Sequence, residues 1–316
     1  MRFLIVLRES RMPQFLMGRC FAALLIFPLI SLPSPVIAGA GGEPRRELTC
    51  EDILELDRVG SPSQLDRDQA IVLGESYDQG KCVPQDYGRA FTLYSRAVEF
   101  GPSIVGLRLG YFYLNGLGVD RDEQKARYWF RSEALATYFN DDRFSDGMLE
   151  LMSFGTSVPE MLREEVTRAH EIYNGPPEGL MAVYRDLSTG NGVYPHPKNA
   201  LIWLSKAGSQ AHPEALYEIA RRHLTGEGYL KSDSAYVATL DRAAHLNFAK
   251  AQKELGAYYL RASEDSYGWY RALVWLLRAQ KNGIDVAAQI LAAEKRLSSL
   301  DIEAAHERAA DFNFKQ

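Results

Sequence analysis

A register of small and aromatic residues recurs along this 316-residue chain with a period of 36, and no other feature restricts its fold as strongly. Leu73, Gly74, Tyr77 and Gly80 reappear as Leu109, Gly110, Tyr113 and Gly116, and Asp86 with Ala90 reappears as Asp122 with Ala126. The turn glycine falls at Gly80, Gly116, Gly190 and Gly226, with Ala262 in the next slot, at intervals of 36, 74, 36 and 36. The long interval is two periods plus two residues. Ten residues after the glycine stand Ala90, Ala126, Ala200 and Ala272, with Tyr236 as the exception. Three further on come Leu93, Trp129, Trp203, Thr239 and Trp275, so three of the four tryptophans share one slot.

Within each unit the first half places apolar or small residues at i, i+4 and i+8, as in Ala251, Leu255 and Tyr259, which is the spacing of one helix face. A Gly-x-Gly-Val turn follows, where glycine adopts backbone conformations that side chains resist. The second half, as in 198–207, is another amphipathic helix with its stripe at Ala200, Trp203 and Ala207. Small residues at Gly74, Gly110, Ala220 and Gly256 should let neighbouring helices approach closely. A lone helix pair cannot bury its apolar face, so stacked neighbours must supply the core.

The expected fold is therefore all-α: a right-handed α-solenoid of about six helix pairs, at 69–104, 105–140, 141–178, 179–214, 215–250 and 251–286. The third unit is degenerate, with its tryptophan lost and two residues inserted; its helices are expected near 147–152 and 158–173. The sixth replaces its turn glycines with Ala262, Ser263 and Glu264, so its turn should differ. Residues 41–68 read as an N-terminal segment with a short capping helix, and 287–316 as C-terminal capping helices, the last capped by Ser298 or Ser299.

The joint spacing of Leu-Gly, Tyr, Gly-x-Gly-Val, Lys-Ala and Trp resembles the Sel1-like repeat, a subclass of the tetratricopeptide-type helical repeats. The resemblance implies the same solenoid and a role in holding protein partners. Exported bacterial members of that family act as scaffolds or regulators of signalling and envelope assembly, exopolysaccharide synthesis included. Some relatives are associated with β-lactam binding, but no serine here has a lysine three residues on, and Ser-Asp-Asn and Lys-Thr-Gly are missing. The phosphate-cradling Gly-x-x-x-x-Gly-Lys-Ser/Thr is also absent. The six histidines are scattered without metal-ligand spacing and read as surface or turn residues. Glu51 with Asp52, and Glu164 with Glu165, read as solvated helix faces. No catalytic residue, metal or cofactor is expected.

Location is read from the N-terminus. Four arginines lie in residues 2–19, an apolar run follows from Cys20, and small residues stand at Ala38, Gly39 and Ala40. That order is a secretory signal peptide over residues 1–40, with cleavage after Ala38 or Ala40 fitting equally well. Pro28, Pro33 and Pro35 interrupt the apolar stretch, so no stable membrane span is expected after cleavage. The mature chain is expected to be periplasmic or secreted. The net charge of −5 over the full sequence, made more negative by loss of the N-terminal arginines, disfavours nucleic acid. Export also favours a disulfide between the two remaining cysteines, Cys50 and Cys82, with Cys82 in the slot of a second turn glycine.

The leading functional expectation is a non-enzymatic scaffold or regulator of the bacterial envelope that holds a protein partner on the concave face of the solenoid. Removing the apolar slots from the first helices leaves Arg108, Tyr111, Arg185, Glu218 and Arg221 as partner-binding candidates. A second aromatic surface is expected at Tyr267, Trp269 and Tyr270. The alternatives are a polysaccharide- or cell-wall-binding module using those aromatics, and a β-lactam or cell-wall hydrolase.

Overall fold

A computed structural model describes residues 48–58, 61–100, 105–137 and 158–311, all within one compact unit, Leu48–Gln316. The signal segment, residues 147–152 of the third repeat and the last five residues lie outside the described residues. Fourteen α-helices and one 3₁₀ turn, Pro62–Gln64, occur among the described residues, with no strand. After a capping helix, α1 (Cys50–Arg58), the first repeat is α2 (Arg67–Gln79) with α3 (Tyr87–Glu99). The second is α4 (Val105–Asn115) with α5 (Glu123–Thr137), and α6 (Glu160–Tyr173) is the second helix of the third. The fourth is α7 (Pro177–Thr189) with α8 (Pro197–Ser209), and the fifth α9 (Pro213–Thr225) with α10 (Asp233–His245). The sixth is α11 (Ala249–Ala262) with α12 (Ser266–Lys281), and α13 (Ala287–Glu294) with α14 (Ser299–Ala310) forms the terminal cap. The chain is an all-α solenoid.

The turns explain the period. Gly80, Gly116, Gly190 and Gly226 end their helices at φ of 68°, 70°, 80° and 86°, a left-handed conformation in which glycine has no Cβ penalty. Two residues later the backbone is left-handed again at Gly118, Gly192 and Gly228, and Cys82 takes the same conformation, φ 68°. Each turn then closes with one recurring hydrogen bond from the residue before the second helix: Asp86 N–H to Tyr77 O, Asp122 to Tyr113, His196 to Leu187 and Ser232 to His223, at 2.7–2.9 Å. Side chains cap the helices that follow, Asp86 accepting from Arg89 N–H, Asp122 from Lys125 N–H and Ser232 from Ala235 N–H. Each such cap contributes about 1 kcal/mol. In the sixth repeat, which lacks the glycine, α11 runs on to Ala262 and leaves through extended Ser263.

The helices approach closely at the small-residue slot of the register, where each glycine meets a large side chain. Gly74 faces Tyr94, Gly110 faces Phe130 and Gly256 faces Leu276; a Cβ on any of the three would lie within 3 Å of that ring or side chain. Trp203 is fully buried and Trp275 nearly so, whereas Trp129 is half-buried. Ser298 caps the last helix, accepting from Asp301 N–H. Cys50 and Cys82 are disulfide-bonded with Cα atoms 5.2 Å apart, which ties α1 to the first turn while Ile53 of α1 enters the first core. No helix among the described residues is long and apolar enough to cross a membrane.

Candidate functional site: a cleft at the break in register

The side chains singled out on the first helices are engaged by neighbours on the same layer of helices. Arg108 is buried, and its Nε and Nη2 donate to the two oxygens of buried Asp78 at 2.5 and 2.6 Å, so it fastens the second repeat to the first and presents nothing to a partner. Its slot in the repeat is occupied elsewhere by Val72, Ala182, Glu218 and Glu254, so no pattern marked it as internal. Half-buried Tyr111 lies with its ring 4.9 Å from the Arg108 guanidinium. Arg185 donates to Glu214 of the next repeat at 2.5 Å, Arg222 to Glu218 at 3.3 Å, and Arg221 to the Tyr217 hydroxyl at 3.4 Å. The aromatic surface likewise reduces to exposed Tyr267. Trp269 is half-buried, with its indole N–H on Ser263 O at 3.1 Å and the Arg296 guanidinium 5.5 Å from its ring, while Tyr270 packs on the terminal core.

The feature that the register did not reveal lies at the third repeat. A Cβ on Gly118 would strike the backbone of Tyr87 and Gly88 at 2.3–2.4 Å, and one on Gly228 would meet Leu201 at 2.1 Å, so these turns press against the second helix of the preceding unit. At Gly192 a Cβ would meet nothing within 4 Å. The space opens as a cleft of about 450 Å³ between α5, α6 and the fourth turn. Helix α5 contributes Arg127, Tyr128 and Arg131, and α6 contributes Met161, Glu165 and Arg168. Glu165 is not the solvated carboxylate that the sequence suggested. Its side chain is 1% exposed, and one oxygen accepts from Arg127 at 2.8 Å and Arg168 at 2.7 Å. The side chains of Arg127, Arg131 and Arg168 are 43%, 40% and 52% exposed, so three guanidiniums face the opening. Arg127 also reaches Glu164 at 3.2 Å, and Arg131 reaches Asp186 at only 3.5 Å.

Behind the cleft, the fourth turn crosses to the second repeat. Tyr194 stacks on Trp129 at 5.3 Å, its N–H donates to Ser132 Oγ and its hydroxyl to Val98 O. Asn199 and Trp203 donate to the carbonyls of Ala136 and Leu135 at the end of α5. His196, read as a surface or turn histidine, is instead buried, with neither ring nitrogen hydrogen-bonded, and its Nε2 lies 3.9 Å from Oε1 of buried Glu133. At that distance there is no hydrogen bond, and burial keeps both groups uncharged. It raises Glu133 to about 8, with Arg67 acting in the opposite sense, and lowers His196 to about 4. Two departures from the register mark this pair. Glu133 stands where other repeats bury Ala97, Ala207, Ala243 and Ala279, and His196 stands where others carry the caps Asp86, Asp122 and Ser232. No group of three potential metal ligands occurs among the described residues.

The family model described as the Sel1 repeat matches residues 70–99, 107–132, 187–212 and 213–236. The chain carries Sel1 repeats. Arg127 and Arg131 fall inside the second match, whereas Glu165, Arg168 and Asp186 fall between the second and third, so the cleft spans the interval where the Sel1 register lapses. A comparison with curated proteins gives no match. Among solved structures, a Sel1 repeat protein from Oxalobacter formigenes is 26% identical, with 84% of this chain and 77% of that one covered and a TM-score of 0.38. The protective antigen c5321 of uropathogenic Escherichia coli, described as displaying an SLR fold, is 23% identical over 82% of this chain, with a TM-score of 0.38. The chain spans 55% of the length of that antigen. The immunity protein Pa5087 of Pseudomonas aeruginosa is 18% identical, covering 79% of this chain and 84% of that one, with a TM-score of 0.28.

Proposed function

We propose that this chain is an exported, non-enzymatic scaffold or regulator of the bacterial envelope that holds a protein partner at the break in its Sel1 array. Sel1 repeats generally mediate protein–protein interaction, and repeat arrays do so by presenting extended surfaces. The observation that carries the reading here is the cleft. The polar side chains picked out on the first helices sit in separate pairs along the array, whereas Arg127, Arg131 and Arg168 converge on one concave opening. Arginine is favoured where binding energy concentrates. Export is supported by the order of charge, apolar run and small residues at the N-terminus, and by the Cys50–Cys82 bridge, since disulfides persist in oxidising compartments.

The test is photo-cross-linking in intact cells from a reactive amino acid placed at Gln124, on the rim of the cleft, compared with one at Ala182 on α7. A discrete protein adduct from position 124 and none from 182 is the expected result. Adducts from 182 alone would move the partner to the first helices, and absence of any adduct with retention of soluble glycans would favour the polysaccharide-binding alternative.

A further inference from the structure

We propose that the cleft takes an acidic segment of the partner, an extended stretch of chain whose Asp or Glu carboxylates are gripped by Arg131 together with Arg127 and Arg168; this rests on the interaction reading above. Glu165 already occupies the floor, but it is inaccessible and only one of its oxygens serves two arginines, at 2.8 and 2.7 Å. Its effect is to orient the guanidiniums of Arg127 and Arg168, each of which retains donors that Glu165 does not engage. Arg131 stands one helical turn beyond Arg127 on the same face of α5, and its contact with Asp186 Oδ2 is long at 3.5 Å, while Asn191 donates to the other oxygen, Oδ1, at 3.0 Å. A carboxylate from outside therefore competes against a weak hydrogen bond at Arg131 and adds to unspent donors at Arg127 and Arg168.

The shape favours a chain segment over a lone anion. The lining of α5 runs from Glu123 to Arg131, about 12 Å at the helical rise, which is the length of three to four extended residues. Met161 and Tyr128 supply apolar surface beside the charges. The missing contact at Gly192 leaves the fourth turn without a side chain in the way, so a backbone can lie across it. The acidic end of the lining, Glu123, is engaged by Arg121 at 2.6 Å, which reduces repulsion there.

The experiment is fluorescence anisotropy of a labelled ten-residue oligoglutamate titrated with the purified full chain at low ionic strength. Saturable binding is expected, weakened at least tenfold by Arg131→Ala, retained in part by Arg131→Lys, and weakened progressively by salt. Arg168→Ala is a second route to the same loss should Arg131→Ala fail to fold, as judged by far-ultraviolet circular dichroism. Arg185→Ala, which removes a comparably exposed arginine on a first helix, should leave binding unchanged. Absence of saturation at millimolar protein, or equal weakening by Arg185→Ala, overturns the proposal. Inorganic phosphate competing at the concentration where the peptide half-saturates also overturns it, in favour of a small-anion site. If cross-links form at position 124 in cells while oligoglutamate does not bind, the chemistry fails and the interaction reading stands.

Discussion

The turns of the second and fifth repeats press their second glycine onto the helix of the preceding unit, whereas the turn of the fourth stands clear of such a contact and reaches the second repeat instead. The regular contact is a steric fit with no space for a Cβ, so glycine and the 36-residue register enforce each other. Across the third repeat the second helices begin at residues 123, 160 and 197, and the two inserted residues appear as one extra in each interval. A solenoid repeat is fixed by its neighbours, so a small change of register replaces a closed glycine contact by an opening. The fourth repeat is then held by side chains that cross the gap, Tyr194, Asn199 and Trp203, each hydrogen-bonded to α5 or beyond.

The largest effect should come from the residue that serves both regions. Trp203 is completely buried and donates across the break to Leu135 O. Trp203→Ala is expected to lower stability by roughly 3–5 kcal/mol in urea unfolding, by cavity formation together with an unsatisfied carbonyl. Trp129→Ala, in the same slot but half-buried against Tyr194, should cost less. Equal costs would mean that the break is packed as tightly as the regular units.

Next is the cross-link at the regular end. The disulfide closes a sequence separation of 32, so its loss should lower stability by about 3–4 kcal/mol on the chain-entropy model. Hydrogen exchange after reduction should show protection lost first in α1 and α2, with α8 to α12 unaffected. Uniform loss would show that the array unfolds as one unit and that the distinction between the regions has no energetic content.

The buried pair at the break supplies a pH signature that the regular repeats lack. Folding raises Glu133 from 4.5 to about 8 and lowers His196 from 6.5 to about 4. Between pH 4.5 and 6.5 the folded pair holds one proton, on Glu133, and the unfolded pair also holds one, on His196, so the pair adds no pH dependence to stability in that window. Between pH 6.5 and 8 the folded state retains a proton that the unfolded state has lost, so stability falls as pH rises, by about 2 kcal/mol. Below pH 4.5 the unfolded state binds the extra proton, and stability falls as pH drops towards 4. Glu133→Gln should abolish the alkaline decline in melting temperature between pH 6.5 and 8. An unchanged decline in that variant would assign it to another group.

Much of this organisation was legible in the amino-acid order because it depends on residues that must recur. Left-handed turns require glycine at 80, 116, 190 and 226, the approach of helices requires Gly74, Gly110 and Gly256, and the core slot admits Trp203 and Trp275. The Cys50–Cys82 bridge was legible because the export expected from the N-terminus leaves just these two cysteines in an oxidising compartment, and the repeat register placed Cys82 in the first turn, at a glycine slot. The cleft was not, since it arises from how far apart two helices sit after an insertion. Arg108 was misread because Asp78, its partner, lies in a neighbouring repeat at a slot with no common residue. Glu133 and His196 did leave a signal: a carboxylate among recurrent alanines and an imidazole among recurrent Asp and Ser caps.

The smallest structural effect belongs to the variant that separates the two candidate surfaces. Tyr111→Ala with Arg221→Ala removes a half-buried ring that lies beside the Arg108 guanidinium and packs on the core cluster containing Leu107 and Phe130, together with a 3.4 Å hydrogen bond to Tyr217. Arg108 keeps its two bonds to Asp78, and Tyr217 stays packed against Phe248, so the expected loss of stability, mainly the burial of half a tyrosine ring, is about 1–2 kcal/mol. Partner adducts from position 124 should form as in the unaltered chain, because neither residue lines the cleft. Arg131→Ala should abolish those adducts at a similarly small cost in melting temperature, since its contact with Asp186 is long and partly exposed. Were the double variant to lose its partner while Arg131→Ala kept it, the first helices would be the binding face. The opening at Gly192 would then be only a consequence of the insertion, packed no worse than stability requires.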